Sequence, residues 1–227
     1  MPPKSTLVDA IYSQIRKEIV QGVLKPGQKI NVAELASRYD ASQTPVKLAL
    51  NRLMSENIIK NYPRQGMQVR QFTMEDVEEV FTARQVLDLA FVSQAIAAIN
   101  YNDALRSQLA QNIAHHKQAV DAYVKTPTPE TFWETCRAAN EFHELYLKSA
   151  GSKLILDIYR FINPFLYENY IFRKQSPERT VRGVEEHKAI LDAILQKDET
   201  AVRTAILNHH HNAKEAVALI LRVDQMV

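Results

Sequence analysis

The chain has 227 residues, 46% of them hydrophobic, with 28 Lys and Arg against 26 Asp and Glu. That is enough apolar matter for one large or two modest cores. A single cysteine, Cys136, excludes an intrachain disulfide; with no apolar run near 18 residues and a polar, proline-rich stretch from Met1 to Thr6, a soluble, cytoplasmic protein is expected.

Leu7, Ile11, Ile15 and Ile19 recur every four residues and predict a first helix ending at Gly22. Asn31 is a helix cap, with Glu34 three residues on to reach back to the cap amide, so a second helix is expected from Val32 through Tyr39. Asp40 and Ala41 make a tight connection to a third helix, capped by Ser42 and carrying Pro45 in its first turn. Val46, Ala49, Leu50 and Leu53 turn that helix inward, which leaves Gln43, Thr44, Lys47 and Asn51 on its outer face. These four side chains suit phosphates or base edges in a major groove, so this is the expected recognition helix.

Ile58 and Ile59 open a short apolar run, Tyr62 to Gly66 supply turn chemistry, and Met67, Val69 and Phe72 face inward. A two-stranded wing is expected, with Arg64 at its tip. Residues 1–72 hold 11 Lys and Arg against 5 Asp and Glu, whereas the remainder holds 17 against 21. The positive field therefore lies on the segment that would approach phosphate.

After Phe72 glycine becomes scarce and apolar residues recur at three and four. Thr73 is the cap of a helix whose buried side is Val77, Val80, Phe81, Leu87, Phe91 and Ala95. Further helices are expected from about Asn102 to Val124, Pro129 to Ser149, Lys153 to Phe172, Pro177 to Gln196 and Glu199 to Arg222. The fold class is mainly α: a winged helix-turn-helix over 1–72, then an all-α bundle of about six helices over 73–227, with a ligand site between facing helices. Tyr159, Phe161, Phe165, Tyr167, Tyr170 and Phe172 are expected to be mostly core.

The linked elements G-x-L-x-P-G at Gly22 to Gly27, the E-L-A helix, S-x-T-P-V from Ser42, A-L-x-R-L and the wing glycine Gly66 resemble the N-terminal domain of the GntR family of bacterial transcription regulators. The resemblance covers residues 7–70. It implies binding to a double-stranded, palindromic operator by a homodimer, with Ser42, Gln43, Thr44, Lys47, Asn51, Arg64 and Gly66 at the DNA. The family usually has arginine where this chain has Gln43 and Lys47, and glutamate where it has Leu48, which implies a different operator preference.

All seven histidines lie in the second domain. The segments FHELYLKSAG, EEHKAILDAI and AVRTAILNHH resemble the ligand-bearing helices of the FCD effector domain, in which three histidines and an aspartate hold a divalent metal that helps bind a small carboxylate. The resemblance implies His143, His187 and His209 as ligands of Zn²⁺ or Ni²⁺. The aspartate would stand four residues before His143, where this chain has Ala139, and neither Asn140 nor Glu141 projects as that residue does. Buried imidazoles bonded to one another and to water are the other reading of the trio.

By the same resemblance Arg84 would grip the effector carboxylate; the competing reading pairs it with Asp88 at i+4. His115 and His116 are read as surface residues, and His210 and His211, which diverge from His209 by about 100° per residue, as solvent-facing or interhelical. A regulator rather than an enzyme is expected. The alternative, a metal-dependent enzyme using the His trio with the winged domain accessory, lacks a general base beside the trio and any nucleophile motif.

Overall fold

The computed structural model describes residues 6–162, 171–172 and 174–224. It divides into two compact units, Met1–Phe72 and Thr73–Val227.

In the first unit, α1 (Leu7–Val20), α2 (Val32–Arg38) and α3 (Gln43–Ser55) precede an antiparallel pair, β1 (Ile59–Tyr62) and β2 (Gly66–Val69), with Ile59 opposite Val69 and Tyr62 opposite Gly66. α1 stops as expected, because Gly22 enters the left-handed region at φ 73°. Its apolar stripe is only partly used: Ile11 and Ile15 are buried, whereas Leu7 is exposed. Their partners in one core are Leu35, Val46, Ala49, Leu50, Leu53, Ile58, Ile59 and Val69. Asn31 caps α2 by accepting from the Ala33 and Glu34 amides. The reciprocal half of the expected box is missing, because Glu34 pairs with Arg38 instead. Ser42 occupies the cap position of α3, but its hydroxyl makes no cap hydrogen bond.

The second unit is helical among its described residues: α4 (Met74–Ala90), α5 (Val92–Tyr101), α6 (Asp103–Lys125), α7 (Pro129–Leu147), a 3₁₀ turn (Lys148–Ala150), α8 (Lys153–Ile162), α9 (Pro177–Leu195) and α10 (Glu199–Asp224). Thr73 and Asp76 form a complete capping box on α4. The single helix expected through Ala95 is two, because Phe91 leaves helical geometry at φ −112° and ψ 16°. The break lets Val92, Ala95 and Ile99 turn into a core shared with Leu105, Leu109, Phe142, Tyr146, Ile190, Ile194, Val202 and Ile206. Of the aromatic set, Tyr159 and Phe172 are buried and Phe161 is exposed. Phe165, Tyr167 and Tyr170 lie outside the described residues.

Candidate functional site

Two surfaces carry chemistry. In the first unit, the four residues that make α3 amphipathic, Val46, Ala49, Leu50 and Leu53, are all buried. The opposite face therefore presents Gln43, Thr44, Lys47, Leu48 and Asn51 to solvent. α3 is held against α1 by Arg52, which pairs with Asp9 at 3.2 Å and lies 3.8 Å over the Tyr12 ring. In the wing, Arg64 is exposed at the turn with φ 64°, and Gly66 at φ 84° opens β2. A side chain at 66 would be strained by that backbone, so glycine is what allows so short a turn. Lys29 bridges to Gln68 beside the wing.

In the second unit, a cavity of about 110 Å³ lies among the helices. His143 of α7, His187 of α9 and His209 of α10 meet on its wall, each offering one ring nitrogen within 4.8 Å of the others. Ala139 lines the same wall and offers no donor, and Asn140 also reaches it. Among the described lining residues none is acidic, whereas Arg84 and Arg179 are present.

Two carboxylates stand behind the rings. His143 Nδ1 lies 2.9 Å from Asp88, and His209 Nδ1 lies 2.9 Å from Glu186. Their Nε2 atoms then face each other at 3.2 Å. Burial pushes the His143 pKa down to about 4 despite Asp88, and the His209 pKa to about 3 despite Glu186. Burial, then the neighbouring imidazoles, holds His187 well below its ordinary value. Burial would raise the Asp88 carboxyl, but His143 and His210 hold it below the usual range.

All three rings of the trio are therefore neutral near pH 7, the form that ligates metal. Two nitrogens bound to one tetrahedral Zn²⁺ at about 2.0–2.1 Å stand about 3.3–3.4 Å apart, close to the observed gap. His187 is stacked on Phe142 at 4.2 Å, and both its ring nitrogens are buried without a hydrogen-bond partner. An orphaned imidazole beside two converging lone pairs fits a cation. The donor set is three neutral nitrogens, with no aspartate among them.

Other expectations change. Arg84 is buried, and its Nε and Nη2 donate to the Tyr159 hydroxyl at 3.1 and 2.7 Å. Asp88, its proposed i+4 partner, is taken by His143 and by His210 Nε2 at 2.8 Å. His210 is thus interhelical, the second of the two readings given for it, buried on Asp88, while His211 is exposed. His116 is not a surface residue: it is buried in the cavity wall, 5.2 Å from the His187 ring. The sequence held a signal for it, since Leu109, Asn112, His116, Ala119, Val120 and Tyr123 form one buried stripe of α6. Asp88 and Glu186 were missed because their histidine partners are remote in sequence.

Among the described residues, no helix is long and apolar enough to cross a membrane. Comparison with known proteins agrees with this two-part architecture. The chain is 25% identical over 222 residues to the HTH-type transcriptional repressor RspR of Escherichia coli strain K12, spanning 96% of this chain and 92% of that protein. It is 24% identical over 212 residues to the uncharacterized HTH-type transcriptional regulator YdhC of Bacillus subtilis strain 168, spanning 92% and 90%. The solved structure described as E. coli McbR/YncC shares the fold, with a TM-score of 0.67 at 19% identity over 96% of this chain and 98% of that one. The matching families and relatives are transcriptional regulators, not enzymes. Residues 7–69 match the model of the bacterial regulatory proteins of the gntR family and residues 79–212 that of the FCD domain, so the chain belongs to the GntR transcriptional regulators that carry an FCD domain.

Proposed function

We propose that this regulator is a ligand-responsive repressor, in which residues 1–72 read DNA and residues 73–227 sense a small carboxylate together with a divalent metal. The observation that carries the sensing role is the cavity wall: the three neutral imidazoles of the trio meet there beside Arg84 and Arg179, with no acidic residue among the described lining. His143, His187 and His209 would hold Zn²⁺ or Ni²⁺, and the metal would supply a Lewis-acid contact to a carboxylate. Glu186 is already matched by Arg179 at 2.9 Å, so a bound cation leaves the cavity in need of an anion. Arg84, anchored by Tyr159, is the candidate for the buried positive charge that attracts that anion. An effector that prefers one arrangement of the two domains would shift their population and so change operator affinity.

As a homodimer, the protein would present two copies of α3 to the half-sites of a palindromic, double-stranded operator. Gln43 suits adenine and Lys47 suits guanine, each such pair discriminating by about 1–3 kcal/mol. Ser42, Thr44, Asn51, Arg64 and the Gly66 backbone are the remaining candidates for contact. Footprinting on the DNA upstream of the chain's own and neighbouring genes tests this. A salt-dependent preferred site is expected, and Lys47→Ala should relax discrimination at one operator position. If no preferred site emerged at any salt concentration, with or without added metal, the reading would fail.

A further inference from the structure

The trio poses a problem of direction. An imidazole has two nitrogens, and a cluster of three serves one cation only if the correct nitrogen of each ring points inward in its unprotonated form. Among the described residues, that choice is made outside the cavity lining, by two carboxylates.

There, the Asp88 Oδ2 atom lies 2.9 Å from His143 Nδ1, and Glu186 Oε2 lies 2.9 Å from His209 Nδ1. A carboxylate only accepts, so each Nδ1 must be the protonated nitrogen. Both acids are fixed in turn. Asp88, on α4, is 1% exposed and also accepts from His210 Nε2 at 2.8 Å. Glu186, on α9, accepts from both ends of the Arg179 guanidinium and from Asn212 Nδ2 at 2.9 Å. The consequence is the 3.2 Å approach of two Nε2 lone pairs, an arrangement unfavourable between neutral rings unless a cation lies between them.

We propose that Asp88 and Glu186 are positioning residues that lock His143 and His209 as Nδ1–H tautomers and so aim both Nε2 atoms at one point, with His210 Nε2 holding the same Asp88 Oδ2 atom. This builds a cation-demanding gap without an acidic ligand, and places the compensating charge one bond network outside the coordination sphere. Outer carboxylates of this kind typically change metal affinity 10- to 100-fold. The inference rests on the metal reading above but makes a separate claim, since the tautomers are a property of the metal-free chain.

The full chain, labelled with ¹⁵N in histidine and stripped of metal, gives the first readout. Two-bond ¹H–¹⁵N correlation spectra report which ring nitrogen carries the proton, and Nδ1–H is expected at both 143 and 209. An Nε2–H form at either ring overturns the proposal. The second readout is Co²⁺ uptake, followed by its visible absorption and by competition with a chromophoric chelator. Asp88→Asn should weaken binding 10- to 100-fold and shift the absorption bands, and Asp88→Glu should recover most of the loss. Binding by Asp88→Asn within threefold of the parent, with unchanged bands, overturns the proposal. If Asp88→Asn does not fold, the tautomer spectra of the parent chain still decide. A parent chain with both Nδ1–H tautomers that takes up no Co²⁺ upholds the positioning and refutes the metal reading instead.

Discussion

His209 and His210 are neighbours in sequence and both buried, although adjacent helical positions point about 100° apart. The reason is that α10 is covered on two sides: His209 turns to Glu186 on α9, and His210 turns to Asp88 on α4. Five imidazoles, at 116, 143, 187, 209 and 210, are thereby removed from water. For His116, His143 and His209 the folded-state pKa values of about 4, 4 and 3 lie below the ordinary 6.5. As acid is added, the unfolded chain binds protons first. Stability is therefore intact above about pH 6.5 and is lost as the pH falls toward 4 and then 3, by up to about 1.4 kcal/mol per pH unit for each histidine. Thermal unfolding of the metal-free protein, followed by circular dichroism, should show a steep fall in Tm between pH 6.5 and 4. Replacing His116 with Phe should make that fall shallower, and an unchanged profile would show that the His116 ring is not held neutral.

Helical elements were legible wherever local chemistry set their ends. Thr73 and Asp76, Asn102, Thr128 with Pro129, and Ser176 with Pro177 each open a helix at the expected place. The break at Phe91 was not legible, because no glycine or proline marks it and the apolar period runs on; only the packing of α5 into the core requires it. The trio of histidines was legible through the resemblance of its three segments, and the burial of His116 through the apolar stripe of α6, whereas the pairing of Asp88, Glu186 and His210 depends on which helices pack together. Caps also separate stability from recognition. Thr73 both donates to and accepts from Asp76 in a closed box, so Thr73→Ala should cost about 1 kcal/mol in urea unfolding. Ser42 has the same position on α3 but no cap bond, so Ser42→Ala should cost less than about 0.5 kcal/mol and instead weaken operator binding. Equal losses of stability in the two variants would contradict this division.

At the scale of the whole molecule, the net charge of +2 conceals two electrostatic regimes: a basic first unit whose α3 outer face and wing tip are exposed, and a second unit that buries Arg84, Asp88 and five histidines. Exposed charges act through solvent and are screened beyond about 10 Å at 0.1 M salt; buried ones are screened far less. The two proposed activities should therefore separate on a single axis. Operator affinity should fall linearly in log–log form with salt, each neutralised phosphate contributing a slope of about −0.9. Arg64→Ala removes one candidate contact from each half of the proposed dimer, and should reduce the magnitude of the slope by about 2 if both reach phosphate. Uptake of Co²⁺ by the His143, His187 and His209 cluster, measured over the same range with a non-coordinating anion, should change less than threefold. A metal affinity that followed salt as steeply as DNA binding does would mean that the cation is held at the exposed surface rather than between the buried rings. An Arg64→Ala slope identical to the parent's would take the wing tip away from the phosphates and leave α3 as the main electrostatic contact.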